Sequence, residues 1–241
     1  MSRILFNNCY GGYGFSELAA QWFKEKLSLD IPYGDSFIYL VEKYMEGNFP
    51  RHHQIYKDCA LALGNENEAE GLERMSGEYS ALEFCDIGDE EYYYVTNYDG
   101  LEEVITTKDL TIIEDEDEEH YVLHAESYGG INFSQSTLLW MSQYILRNIK
   151  EFEDKIPSDS RFYFTETFLD NYFPRHHKAY KECLKDFGGG DEERGMESFG
   201  NNFIFEKISH KEYYIMVNDG MEYLIFKKWF TKIQPRKMLN L

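Results

Sequence analysis

The sequence predicts an α+β fold in two tandem pseudo-symmetric modules, and three observations predict it. First, Phe49-Pro50-Arg51-His52-His53-Gln54-Ile55-Tyr56-Lys57-Asp58-Cys59 returns as Phe173-Pro174-Arg175-His176-His177-Lys178-Ala179-Tyr180-Lys181-Glu182-Cys183, with eight of the eleven positions identical. Second, each copy is preceded by a short apolar run, a glycine turn and a stripe at helical spacing. Third, each copy is followed by aromatic and β-branched runs joined by Asp-Gly, a strong hairpin signal. In order this gives β-α-α-β-β-β, a small and mainly antiparallel sheet covered by two helices. A chain of 241 residues allows two such cores.

The elements follow in sequence. Ile4-Leu5-Phe6 and Tyr121-Val122-Leu123 read as opening strands. Cys9-Tyr10-Gly11-Gly12 and Ser127-Tyr128-Gly129-Gly130 are turns, and Ser16 and Ser134 suit helix N-caps. Ala19, Ala20, Phe23 and Leu27 form one apolar stripe; Leu138, Met141, Tyr144 and Ile145 form the other. Phe37–Tyr44 and Phe162–Leu169 fit a helical turn or a strand equally. The duplicated stretch predicts a helix with Pro50 and Pro174 in its first turn, stopped by Gly64 and Gly188. Asn65–Gly71 and Gly189–Gly195 read as acidic turns. Strands are expected over Ala81–Ile87 and Asn202–Ile208, then over the hairpins that turn at Asp99-Gly100 and Asp219-Gly220. The acidic run Glu114–Glu119 reads as a solvated linker, so the expected modules are 1–113 and 120–241, the second with a basic C-terminal tail.

Charge is uneven. Residues 1–119 carry 8 Lys and Arg against 27 Asp and Glu, a net of −19, whereas residues 120–241 carry 16 against 17. Such a first module repels phosphate, so no nucleic-acid partner is expected for it. It allows an acidic face that meets a basic partner, though a solvated acidic surface that aids solubility is the favoured reading, and a third reading makes it an acidic mimic of nucleic acid. The basic tail answers either nucleic acid or the acidic first module. Four cysteines, of which only Cys59 and Cys183 correspond between copies, argue for reduced thiols and an intracellular setting. No apolar run of 18 residues and no signal peptide is found, so neither membrane insertion nor secretion is expected.

The chain resembles a family of uncharacterised proteins found in giant DNA viruses, phages and bacteria. Its members carry a Cys-Tyr-Gly-Gly-aromatic-x-Phe/Leu-Ser opening, an Arg-x-Asp helix ending in Leu-Gly, an Ala-x-Gly turn and a Tyr-Asp-Gly-x-Glu hairpin. Here the matching residues are Cys9-Tyr10-Gly11-Gly12-Tyr13-Gly14-Phe15-Ser16, Arg51-His52-His53, Leu63-Gly64, Ala69-Glu70-Gly71 and Tyr98-Asp99-Gly100-Leu101-Glu102. The second copy keeps Tyr128-Gly129-Gly130, Arg175-His176-His177, Gly195 and Asp219-Gly220-Met221-Glu222. Two positions depart: His53 and His177 replace the Asp, and Ser127 replaces Cys9. The resemblance implies a viral protein, in host cytoplasm or virion, and brings no activity with it.

Three constellations are candidates for chemistry. His52 and Cys59, like His176 and Cys183, are seven apart and would share a helix face, a pairing that zinc uses. A structural zinc site wants four ligands and no Cys-x-x-Cys is present, so no metal and no cofactor is expected. Cys9, Gly11 and Gly12, with Ser127, Gly129 and Gly130, could cradle an anion ahead of a helix. They lack the lysine and spacing of a nucleotide loop. Asp99 with Glu102 and Asp219 with Glu222 place two carboxylates on each hairpin, for acid–base work or for pairing with Arg51 and Arg175. The favoured reading is a non-catalytic interaction protein whose modules pack as an intrachain pseudo-dimer, with the duplicated helices (Tyr56 and Tyr180 among their residues) or the Tyr-rich strands near the pseudo-axis; the runner-up is an anion-binding protein or enzyme using the glycine loops.

Overall fold

In a computed structural model of the chain, residues 2–114, 119–148, 168–169 and 173–233 are described. The fold is α+β, and the chain divides into two compact units, Met1–Leu110 with Lys227–Leu241, and Thr111–Phe226. These limits differ from the expected 113 and 120. The segment after each hairpin is counted with the unit whose sheet it joins, and strand pairing overrides the acidic run as a divider. Most of that run, 115–118, lies outside the described residues.

In the first unit, β1 (Arg3–Asn7) pairs antiparallel with β2 (Leu82–Asp86), with Ile4 opposite Cys85 and Leu5 opposite Phe84. Four helices follow β1: α1 (Glu17–Leu27), α2 (Phe37–Asn48), α3 (Gln54–Leu63) and α4 (Glu68–Met75). The hairpin β3 (Tyr92–Tyr98) and β4 (Leu101–Thr106) forms a second sheet, joined on the free edge of β3 by the two-residue strand β12 (Thr231–Lys232). Alternation along β1 organises these layers. Leu5 faces the helices, in a core with Phe15, Phe23, Val41, Tyr56 and Met75. Its neighbour Ile4 faces the hairpin, with Ile87, Tyr93 and Ile233. The β1–β2 ribbon is therefore a middle layer, buried on both sides.

The second unit is also α+β. β6 (His120–Ala125) pairs with β9 (Phe203–Ile208), and the hairpin β10 (Glu212–Asn218) and β11 (Met221–Phe226) is joined by β5 (Thr111–Ile112). A minor pair links β7 (Asn132–Phe133) to β8 (Gly200–Asn201). Helices α5 (Gln135–Asn148), α6 (Ala179–Gly188) and α7 (Glu192–Phe199) pack on one side of β6. Leu123 joins the helix core, and Val122 joins Ile113, Tyr213 and Phe226.

The α+β class holds, and the structure adds detail that changes several elements. Phe37–Tyr44, open on sequence, lies in α2, where Phe37, Val41 and Met45 are buried at helical spacing; Phe162–Leu169 falls almost wholly outside the described residues. Pro50 and Pro174 are not in the first helical turn. They open a preceding turn, in which the His53 and His177 amides donate to the Pro50 and Pro174 carbonyls at 2.8 and 2.9 Å. The segments read as acidic turns are largely helix, because Asn67 and Asp191 cap α4 and α7 and acidic side chains occupy their first turns. Gly71 and Gly195 let each of these helices touch its predecessor: a Cβ there would lie 1.7 Å from the Ala60 carbonyl oxygen or 2.0 Å from that of Leu184. Tyr56 and Tyr180, expected at the module contact or in the core, are buried in their own units' cores. Among the described residues no helix is long and apolar enough to cross a membrane.

Candidate functional site

The duplicated Pro-Arg-His-His turn is where strand, hairpin and helix of each unit meet, and each side chain there has a separate task. The Arg51 carbonyl accepts from the Leu5 amide of β1 at 3.1 Å, and the Arg175 carbonyl accepts from Leu123 of β6 at 2.9 Å. The guanidinium then reaches the hairpin. Arg51 Nη2 donates to Glu102 Oε1 at 3.1 Å, and Arg175 Nη2 to Glu222 Oε1 at 3.3 Å. Both glutamates are buried, and the second oxygen of each accepts a strand amide at 2.8 Å, from Asn7 and from Ala125. A carboxylate satisfied by both a guanidinium and a backbone N–H is a stable arrangement for a buried charge.

The two histidines divide their roles. His52 Nδ1 lies 3.2 Å from the Tyr93 hydroxyl on β3, and His176 Nδ1 lies 2.9 Å from that of Tyr213 on β10. His53 Nδ1 accepts from the Ile55 amide at 3.2 Å and thereby caps α3; His177 Nδ1 accepts from Ala179 at 3.1 Å. Burial lowers the pKa of His52, His53 and His177, which favours the neutral rings that the His53 and His177 caps require. Because His52 precedes α3, it does not share a helix face with Cys59. Cys59 and Cys183 are buried, and burial raises both thiols, Cys183 to about 12. Among the described residues no group of three or more His, Cys, Asp or Glu could hold a metal ion.

The first unit elaborates the site. Asn7 is fully buried; its amide donates to the Cys9 and Gly100 carbonyls at 2.6 and 2.7 Å, and its oxygen accepts from Ala81 N at 2.8 Å. The Arg51 guanidinium lies 3.2 Å from the centroid of the Tyr13 ring. Burial holds the Tyr13 hydroxyl well above its ordinary value. The second unit has Ala125 and Ile131 at the matching positions, so the ion pair persists without these additions.

The hairpin tip of each unit packs on its glycine loop, while a Cβ at Gly12 or Gly129 would meet nothing within 4 Å. Gly100, at φ +92°, presses on the first loop so closely that a Cβ would lie 2.4 Å from the Gly12 nitrogen. Gly11 is covered by Tyr79, whose carbonyl oxygen would be 1.4 Å from a Cβ there. In the second unit the Gly129 amide donates to the Asp219 carbonyl at 3.1 Å, and Gly220 abuts Gly129 and Gly130. Cys9 Sγ sits 3.2 Å from the Tyr79 carbonyl oxygen and 3.5 Å from Asn7 Oδ1. Asp99 and Asp219 take left-handed φ values of 47° and 50° at the turn tips, so the two carboxylates of each hairpin split between a turn and a buried pair.

Two clefts lie elsewhere. One of about 750 Å3 in the second unit is lined by Glu114, Glu119, His120, His177, Lys178 and Lys181 among others. Its charges oppose one another: Lys181 lies over the Tyr121 ring at 3.1 Å, and Glu119 is bonded to Lys207. The lining selects no ligand by sign. The other, of about 390 Å3 beside α4 and β2, carries Glu73 and Glu83.

What the first unit does present outward is aromatic. Tyr10 is 65% exposed and Tyr79, which covers Gly11, 70%, and Tyr10 meets Tyr98 edge-on at 6.4 Å. Tyr33, Tyr39 and Leu40 are exposed at and before α2. On the Tyr-rich strand β3, by contrast, Tyr92 and Tyr94 are half-buried and Tyr93 is core. No protein-family model matches this chain, and comparison with curated proteins and with solved structures finds no match either.

Proposed function

We propose that this chain is a non-catalytic interaction protein whose first unit presents an acidic, tyrosine-bearing surface to a basic protein partner. The observation that carries the reading is the exposure of Tyr10 and Tyr79 within residues 1–110, which hold 8 Lys and Arg against 21 Asp and Glu, a net of −13. The polar residues that recur in both copies are spent on internal bonds, which leaves them no free chemistry. Exposed tyrosines supply apolar area at low entropic cost and keep a hydroxyl for the partner, while acidic neighbours steer basic segments. The resemblance to proteins of giant DNA viruses and phages supports an accessory role in an infected cell, in its cytoplasm or in the virion.

The test is calorimetric titration of the full chain with a set of Lys- and Arg-rich peptides, with and without aromatic residues. Binding that weakens as salt rises, and weakens about tenfold in Tyr10→Ser/Tyr79→Ser, is the expected result; a loss near 1.4 kcal/mol fits two exposed aromatic contacts. Absence of binding by every peptide, or binding indifferent to the two tyrosines, would remove the reading.

A further inference from the structure

The two hairpin sheets are completed in the same way, and the match extends to single atoms. In the first unit, Thr231 pairs with Tyr93 and Lys232 with Tyr92, and the Ile233 amide donates to the Glu91 carbonyl at 2.7 Å. In the second, Thr111 pairs with Tyr213 and Ile112 with Glu212, and the Ile113 amide donates to the Lys211 carbonyl at 2.8 Å. The incoming strands are equivalent: Leu110-Thr111-Ile112-Ile113 after the first hairpin, Phe230-Thr231-Lys232-Ile233 after the second. Yet each belongs to the sheet of the hairpin that it does not follow. Ile113 is buried with Val122 and Tyr213, and Ile233 packs with Ile4, Ile87 and Tyr93. Phe230 stacks on Tyr94 with centroids 5.9 Å apart, and Lys232 lies 5.4 Å from the Tyr92 ring centroid.

We infer that the free edge of β3 is an acceptor for an extended aromatic-Thr-x-Ile strand, and that a second copy of this chain can supply that strand. Three features carry the inference. The same register arises at two acceptors with different sequences on either side, so the edge reads the incoming segment rather than its covalent connection. An unpaired β3 edge would expose a row of N–H and C=O groups, the template on which strands add. The donor is basic, through Lys227, Lys228 and Lys232, and the acceptor lies in the acidic part of the chain, an attraction that needs no covalent link. The chain reaches the edge of β3 through a single 3-10 turn, Lys227–Trp229, directly after β11. Opening at that turn frees the strand without altering the hairpin it leaves. When two copies each donate and each accept, the assembly closes as a twofold dimer with the contacts of the monomer. The connection within one chain acts as an effective concentration on the order of 1 mM, so copies exchange strands as protein concentration approaches that value or after joint refolding.

The test uses full-length chains carrying Cys9→Ser and Cys85→Ser. One carries Lys232→Cys and the other Tyr92→Cys, positions that face each other in the ladder. The two are unfolded together in urea, refolded together and oxidised. A disulfide-linked heterodimer is expected, in a yield that rises with protein concentration and falls at least tenfold when Ile233→Asp is added to the donor. A chain carrying both cysteines should link internally at low concentration. Failure of the mixed chains to link while the doubly substituted chain does, or linkage indifferent to Ile233→Asp, overturns the proposal. Failure of both to link overturns the register on which it stands. Light scattering on the unsubstituted chain, refolded at about 1 mM, gives a readout free of any substitution: a dimer fraction is expected, and a monomer alone counts against exchange.

Discussion

Glu102→Gln separates a structural role for the duplicated motif from any other. The side chain of Glu102 is 5% exposed and that of Arg51 20%, so the pair is screened on one side only. The carboxylate serves two donors at once, Asn7 N at 2.8 Å and Arg51 Nη2 at 3.1 Å. A glutamine has one acceptor oxygen. Whichever donor it serves, its amide NH2 faces the other, and the guanidinium loses its counter-charge. A hydrogen bond to a charged group is worth about 1.5–3 kcal/mol, and stripping a partner from a fully buried pair costs about 3–5. The partial exposure of Arg51 and its place over the Tyr13 ring bring the expected loss to ~2–3 kcal/mol. For a unit of this size that is a fall in Tm of roughly 6–15 °C. The assay is urea unfolding with Trp140 and Trp229 replaced by Phe, so that Trp22 in α1 reports the first unit. Arg51→Met and the double variant complete a cycle, in which a coupling of about 1.5–3 kcal/mol is expected. Additive effects, with coupling below about 0.5 kcal/mol, would mean that the ion pair does not hold helix to hairpin, and the structural account of the motif would fall.

Gly100→Ala must reconcile a φ of +92° with a Cβ placed 2.4 Å from the Gly12 nitrogen, so it should cost at least about 2 kcal/mol; Gly88→Ala, at φ +64° with open space, should cost only about 1. Equal losses by thermal unfolding would show that the glycine loop does not bear on the hairpin tip. Burial lowers the imidazole pKa of His52, His53 and His177 below the ordinary 6.5, so the folded state binds fewer protons than the unfolded one between its own lowered values and 6.5. Their contribution to stability is therefore present above pH 6.5 and is lost as pH falls through the folded values. Unfolding midpoints taken from pH 7 to 5.5 should decline, and less so in His53→Asn, which keeps a capping oxygen; a flat profile in the parent would refute the assignment.

The parts of the fold legible in the sequence are those fixed by local chemistry. Asp-Gly tips, a Ser16 N-cap and alternating strands each carry their own signal, and the structure has all three. The pairing of Arg51 and Arg175 with hairpin glutamates was also within reach, because both partners recur together in the two copies. Other features depend on long-range packing. Asn67 and Asp191 are good caps, but the helices after them are short, acidic and interrupted by Gly71 and Gly195; only contact with the Ala60 and Leu184 backbone explains those glycines. Pro50 fits the first turn of a helix as well as the turn before one, and the strand amide on the Arg51 carbonyl accompanies the second choice.

The two copies also explain why the candidate site reads more clearly as structure than as chemistry. A side chain needed to hold strand, helix and hairpin together is needed in both units, and Arg, both His and Glu recur in both. A side chain kept for a partner need serve only one. Asn7, Tyr13 and Cys9 occur in the first unit, where the second has Ala125, Ile131 and Ser127. Of these, Asn7 and Cys9 are tied to neighbouring carbonyls, and Tyr13 lies under Arg51. Tyr10 has the equivalent Tyr128, which is 67% exposed, whereas Tyr79, which covers Gly11 in the first unit, stands in a loop whose second-unit counterpart is Gly200 to Asn202. Exposure and asymmetry coincide at Tyr79, which is why the outward face of the first glycine loop, and not the repeated Arg-His-His turn, is where a partner should be sought.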